Sequence, residues 1–322
     1  MKSLNEKVVS EINRKLPKNT TAVNYLMNLL YLGKESAYRR LKGQIPFTFE
    51  EVIAIANDLG FSLDKITGKE KGGRVFFDIN TDLTKSFSDL YINSLKSDIK
   101  IIKELSSVAD LKILSALNRI PLRFLPFKNL FKFDYLRFLH SKGALPVTVN
   151  FSDAIPDIVN ELHKEAVYAM SRLDNVTCVI NDAAFSKIIK IIQYSYHTEI
   201  VSYEDLKLLQ KELFEMLAFF EKLITTGVND SGASYSIYHS MVEPEANCIC
   251  CEYGDYKMSQ VWLSPESPII VNDDRLMYQI QKNWLESKIK YATLMTKSNE
   301  LLRSKIMRNL RDQIAVMTKD QH

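Results

Sequence analysis

Residues 33–43, Gly-Lys-Glu-Ser-Ala-Tyr-Arg-Arg-Leu-Lys-Gly, set two apolar side chains, Ala37 and Leu41, four positions apart among polar ones. That spacing puts Ala37 and Leu41 on one face of a short helix. It leaves Lys34, Glu35, Ser36, Tyr38, Arg39 and Lys42 pointing elsewhere. A helix with so narrow an apolar face and so basic a polar one is suited to the DNA major groove. The chemistry it offers is hydrogen bonding and ion pairing rather than bond making.

A second cluster, Cys248-x-Cys250-Cys251 with His239 nearby, invites a metal reading. Zinc sites usually show Cys-x-x-Cys with a second pair further along. A strand would place Cys248 and Cys250 on one face and Cys251 on the other, which suits buried structural thiols better. A redox-sensing thiol is the alternative reading of the adjacent pair. The five histidines, His140, His163, His197, His239 and His322, pair with no acid at a recognisable spacing. There is no Gly-rich phosphate loop, no Gly-x-Ser-x-Gly and no His-Glu-x-x-His. No catalytic residue, cofactor or metal is therefore expected, and the chain reads as a non-enzyme.

The elements around the short helix are legible. Ser3 and Glu6 form a capping box ahead of Leu4, Val8, Ile12 and Leu16 at helical spacing, and Pro17 stops that helix. Thr20 or Thr21 can cap a second helix over 22–30, with Val23, Leu26, Met27 and Leu30 inward. Thr48 and Glu51 form another capping box, and Val52, Ile53, Ile55, Ala56 and Leu59 make the helix after it the most buried. Gly60 ends that helix, and Ser62 restarts the chain as a short fifth. The run Ala56-x-x-Leu59-Gly60-x-Ser62-Leu63-Asp64 spans two helices and their turn.

With these motifs, residues 1–68 resemble the lambda-repressor-like (Cro/repressor, XRE-type) helix-turn-helix domain, over about a fifth of the chain. Met27 and Tyr31 stand where that family usually has Ala and Gly, and the nearest glycine is Gly33, two residues later. The spacing from Pro46 to Phe49 is also one residue off the family pattern. The resemblance implies a five-helix DNA-binding domain whose recognition helix opens with base-reading residues Lys34, Glu35, Ser36 and Tyr38. Lys34 would donate to guanine and Glu35 accept from cytosine. Arg39, Arg40 and Lys42 would hold phosphates, and Thr21 would touch one as well.

Charge agrees. Residues 1–74 carry 13 Lys+Arg and 8 Asp+Glu, net +5, whereas the whole chain is +3 (42 minus 39). Residues 75–322 are therefore net −2 (29 minus 31). The positive charge is concentrated where a polyanion would dock. The 322 residues, 46% hydrophobic, suffice for two or three domains with a sizeable core. The first sixteen residues hold no apolar run long enough for a signal peptide, and no stretch is long enough to span a membrane. Four cysteines suit a reduced cytosol better than a disulfide scaffold, so a cytoplasmic location is expected.

Gly68-Lys69-Glu70-Lys71-Gly72-Gly73-Arg74 is flexible and charged and marks a linker over 69–80. The remaining region, 81–322, reads as mostly helical α+β: helical over 81–226, an antiparallel β meander over 233–264, and closing helices over 274–318. Within it, 111–118 reads as a short helix and 176–180 as a short strand or turn. Residues 122–140 interleave aromatics with Lys and Arg. Such a stretch can stack single-stranded bases, lie on a membrane or form a subunit interface, but a buried amphipathic helix with snorkelling basic residues is preferred. Leu301, Ile306, Leu310, Ile314 and Met317 form an apolar stripe on the last helix, suited to dimerisation or to covering the core.

The fold class expected is thus mainly α. The function expected is that of a bacterial, sequence-specific DNA-binding transcriptional regulator. One short helix reads only a few base pairs, so a homodimer on two half-sites of double-stranded DNA is implied. The C-terminal region would supply dimerisation, sensing of a small-molecule or protein effector, or both. The alternatives are a protein-binding adaptor or antitoxin-like module and, less favoured, an enzyme with a DNA-targeting head.

Overall fold

The computed structural model describes residues 3–16, 20–61, 63, 86–144, 151, 155–264, 267–272 and 275–318. It divides into two compact units, residues 1–76 and 77–322.

The first unit contains α1 (Leu4–Lys15), α2 (Ala22–Leu30), α3 (Lys34–Leu41) and α4 (Phe49–Leu59). Both expected capping boxes close in both directions. The Ser3 amide donates to Glu6 at 2.7 Å, and the Thr48 amide donates to Glu51 at 2.9 Å. Val8 and Ile12 of α1 meet Leu26, Ala37, Val52 and Ile55 in one small core. The expected fifth helix, apart from Leu63, and the expected linker lie outside the described residues.

The second unit is mainly helical around one mixed sheet. In chain order it comprises α5 (Phe87–Ser106), β1 (Lys112–Leu117), a 3-10 turn (Leu122–Phe124), α6 (Lys128–Ser141) and α7 (Asp157–Ser171). β2 (Val176–Ile180), α8 (Ala183–His197), α9 (Tyr203–Thr226), β3 (Tyr235–His239) and β4 (Cys248–Tyr253) follow. β5 (Tyr256–Ser264), β6 (Ser267–Asn272), α10 (Arg275–Lys290), β7 (Thr293–Leu294) and α11 (Glu300–Val316) complete it. The strand order is β6-β5-β4-β1-β2-β3-β7. β1, β2 and β3 run parallel, and the remaining pairs are antiparallel.

This corrects the meander. The three strands expected over 233–264 exist, but β3 does not pair with β4, because β1 and β2 lie between them. The long helical crossovers after β1 and β2 carry the chain back to lay parallel strands side by side. Residues 111–118, expected as a helix, contain β1 instead. Leu111, Leu114 and Leu117 fall three apart and imitate a helical face. β1 is central, and a strand covered on both faces loses the alternation that would betray it. β6 and β7 were not foreseen.

Helices α5–α9 and α11 cover one face of the sheet and enclose the large core. α10 covers the other, setting Tyr278 and Leu285 against Ala116, Val179, Cys248 and Cys250. The aromatic stretch over 122–140 is interior: Leu130, Phe131, Phe133, Tyr135, Leu136, Phe138 and Leu139 of α6 are buried. Apolar residues face inward nearly all round α6, so it is a core helix rather than an amphipathic one. Its first turn has no cap of its own. Glu212 of α9 supplies one by accepting from the amides of Asn129 at 3.1 Å and Leu130 at 2.8 Å. On α11 the stripe of Ile306, Leu310, Ile314 and Met317 is buried within the chain, while Leu301 is 87% exposed.

One polar cluster locks α10 to the sheet. Glu252 of β4 accepts from the Tyr278 hydroxyl at 2.6 Å, from Lys282 at 3.1 Å and from Lys257 at 3.2 Å. The Tyr278 hydrogen bond and the two ammonium groups outweigh partial burial and hold the Glu252 carboxyl at about 2, below its ordinary 4.5. A carboxylate with a depressed folded value stabilises the fold above its unfolded value, and that contribution is lost as pH falls. Urea unfolding followed by Trp284 fluorescence is therefore expected to weaken as pH falls from 4.5 towards 2. Glu252→Gln should show a flatter pH dependence across that window, and parallel curves for the two proteins would refute the assignment.

Candidate nucleic-acid interface

Thr21 caps α2, its hydroxyl accepting from the Asn24 amide at 3.3 Å, and its side chain remains exposed. α2 then ends at Tyr31, whose φ of 52° and ψ of 40° are left-handed. This is where the resembled family places glycine. The turn keeps the backbone that glycine would give and puts a tyrosine in it, 95% exposed. Gly33 has φ of −68° and merely precedes α3 in extended geometry. The left-handed region costs an L-residue about 1–2 kcal/mol, partly offset by the chain entropy a glycine would lose. Tyr31→Gly is expected to stabilise the first unit by about 1 kcal/mol, read as a higher thermal midpoint. Destabilisation would mean that the tyrosine ring contributes packing.

α3 sits on the core through Ala37, which is fully buried, with Leu41 packed beside it. Lys34, Glu35, Tyr38, Arg39 and Lys42 are all exposed. At 3.6 residues per turn these five cover a continuous arc of about 140°. The Lys42 ammonium lies 5.6 Å from the centre of the Tyr38 ring. The face thus carries three cations, one carboxylate and one phenol, groups that can donate to phosphate and guanine and accept from cytosine.

Ser36 and Arg40 fall outside that arc and are joined to each other. The Arg40 guanidinium donates to the Ser36 hydroxyl at 2.7 Å and to Glu51 at 2.9 Å through Nε, with a second ion-pair contact to Glu51 at 2.8 Å. The Arg40 and Glu51 side chains are only 12% and 15% exposed. Burial would raise the Glu51 carboxyl, but the hydrogen bonds from Arg40 and the Thr48 amide, with the Arg40 charge, hold it below the usual range. One carboxylate therefore caps α4 and anchors α3. Arg40, expected on a phosphate, is engaged inside the domain. Asn5 adds a second tie, donating to the Arg40 carbonyl at 3.0 Å and accepting from the Phe47 amide at 3.1 Å. Tyr25 of α2 donates to Asp58 of α4 at 2.8 Å.

Tyr31 thus presents an exposed aromatic ring at the end of α2, in a position that a glycine holds in the resembled family.

The cysteine cluster gathers no metal ligands. Cys248 and Cys250 face α10, whereas Cys251 faces the large core, as the alternation of β4 dictates. His239 on β3 is three strand spacings from β4, or about 14 Å. Among the described residues no cluster of His, Cys, Asp or Glu could hold a metal ion. Burial pushes the thiols of Cys178 and Cys248 up to about 11 and those of Cys250 and Cys251 up to about 12. Buried thiols held this far from ionisation are poor nucleophiles. No helix of the described residues is long and apolar enough to cross a membrane.

Compared with known proteins, the chain matches no family model, no curated protein and no solved structure.

Proposed function

We propose that the protein is a sequence-specific, DNA-binding transcriptional regulator. Residues 1–68 would form a five-helix, lambda-repressor-like domain, and the second unit would serve dimerisation, effector sensing or both. The observation carrying this reading is the exposed arc of Lys34, Glu35, Tyr38, Arg39 and Lys42 on a helix anchored by buried Ala37. The left-handed residue at the family's glycine position and the net charge of +5 over residues 1–74 support it. Lys34 and Glu35 would read base edges, with Tyr38 beside them, while Arg39, Lys42 and Thr21 would hold the backbone. A homodimer in the cytoplasm, reading two half-sites, completes the proposal.

The test is selection from a random double-stranded DNA pool with the full chain at two salt concentrations. An inverted repeat is expected, its spacing giving the dimer geometry. Lys34→Ala or Glu35→Ala should relax preference at one base position by about 1–3 kcal/mol. Weak, unselective binding lost at moderate salt would overturn the proposal. The exposed aromatics Tyr31, Tyr38 and Phe49 favour a second reading, a protein-binding adaptor or antitoxin-like module. A stoichiometric protein partner co-purifying with a chain that has no DNA affinity would establish it.

A further inference from the structure

The layers of the second unit do not close on each other. A cavity of about 350 Å³ lies between the sheet and helices α5, α7 and α9. At about 30 Å³ per water, this is roughly a dozen waters' worth of space. Native interiors hold few voids larger than one water, and drug-sized ligand pockets begin at about 300 Å³. The wall is almost wholly aliphatic and aromatic, with Ile113, Ile237 and Met258 from the sheet facing Ile102, Phe220 and Leu223 from the helices. Water gains little in such a space, so a molecule with apolar surface is the fitting occupant.

Shape and charge narrow the class. The lining draws on all five strands from β5 to β3, so the cavity runs about 19 Å across the sheet. The turn of Asn229, Asp230 and Ser231 is part of the lining, and the Asp230 side chain there is 71% exposed. Among the described residues that line the cavity there is no Lys, Arg or His. Its two acids, Asp98 and Asp230, are paired with Arg123 and Lys222. An anionic head such as a fatty carboxylate would find no free counter-charge among these described lining residues, and burying it unpaired is costly.

One amide side chain from the sheet lines this wall. Gln260 of β5 lines the cavity on the same strand face as Met258 and is 7% exposed. Among the described residues no group hydrogen-bonds to its side-chain carboxamide. A carboxamide both donates and accepts, so Gln260 can pair with a hydroxyl or a carboxamide placed beside it in this wall. We infer that the cavity binds an elongated, uncharged, apolar small molecule whose single polar head, a hydroxyl or carboxamide, pairs with Gln260. This names the effector class for the proposed regulator. Its regulatory meaning rests on that reading, whereas the binding itself does not.

The experiment uses the full chain without DNA, so it succeeds or fails independently of the selection experiment. The uncharged fluorophore N-phenyl-1-naphthylamine is titrated to saturation, then displaced with decanol or with decanoate at about pH 8, where the acid is ionised. Saturable binding is expected, with decanol displacing the probe at least about tenfold better than decanoate. Leu223→Trp and Ser115→Leu, each checked for folding by its thermal midpoint, fill the space from opposite walls, and at least one folded variant should lose the probe. Gln260→Leu should keep the probe but weaken decanol about tenfold. Absence of saturable binding, full binding by both folded variants, equal displacement by decanoate, or unchanged decanol affinity in Gln260→Leu would each overturn the inference.

Discussion

Asp98→Ala is expected to destabilise the second unit by about 3–5 kcal/mol, a large part of the total stability of an ordinary domain. Asp98 on α5 and Arg123 in the turn after β1 face each other at 3.4 Å, with side chains only 6% and 4% exposed. The guanidinium lies 5.0 Å from the centre of the fully buried Tyr91 ring. Removing the carboxylate leaves a buried cation that cannot shed its charge. The converse substitution, Arg123→Met, is expected to cost less. Burial, opposed by Arg123, already raises the Asp98 carboxyl to about 6, so an aspartate without its arginine takes up a proton instead of remaining charged. Urea denaturation at neutral pH, read by far-ultraviolet circular dichroism, checks both variants. A loss below about 1 kcal/mol for Asp98→Ala would show that the pair is as weak as one at the surface.

Neighbouring arginines on α3 should give opposite phenotypes. Arg39 is exposed on the polar arc, and Arg40 is clamped to Glu51 and Ser36. Arg39→Ala should leave the thermal midpoint unchanged, weaken binding to all DNA sequences alike and lower the salt slope by about 1. Arg40→Ala should cost the first unit about 2 kcal/mol, since it removes charge-assisted bonds from a mostly buried carboxylate. Binding would then fall only as the folded fraction falls, with the salt slope intact. Glu51→Ala should reproduce Arg40→Ala and also lose the α4 cap. Combining the two should cost less than the sum of the singles, because both remove one interaction. A reduced salt slope in Arg40→Ala would return that residue to the phosphate backbone.

What could be read from the sequence follows from how far apart the interacting groups lie. The boxes at Ser3 and Thr48 close within three residues, and each starts its helix as the pattern suggests. β4 occupies Cys248–Tyr253, matching the alternation there, and places its cysteines on the two faces that alternation requires. The polar arc of α3 was legible because Ala37 and Leu41 fix its inward side. The engagement of Arg40 was not, because Glu51 lies eleven residues away across a turn. Strand order was hidden for the same reason: β1 pairs with β4 through Ala116 and Cys248, and nothing local announces that partnership. The cavity is further still from the sequence, because it depends on the spacing between layers and on no single segment.

The borrowed cap on α6 sets a timetable for synthesis. Asn129 and its capping partner Glu212 are 83 residues apart. At about 5–20 residues per second, a ribosome adds that length in roughly 4–17 seconds. During that interval the aromatic helix has been made but lacks the carboxylate that secures its first turn, and β1 waits longer still for β4. The nascent second unit must therefore spend several seconds with its most adhesive segment uncovered, at the stage when a chaperone would meet it. The four described helices of the first unit, which draw their core from residues 8–55, are complete before that wait begins.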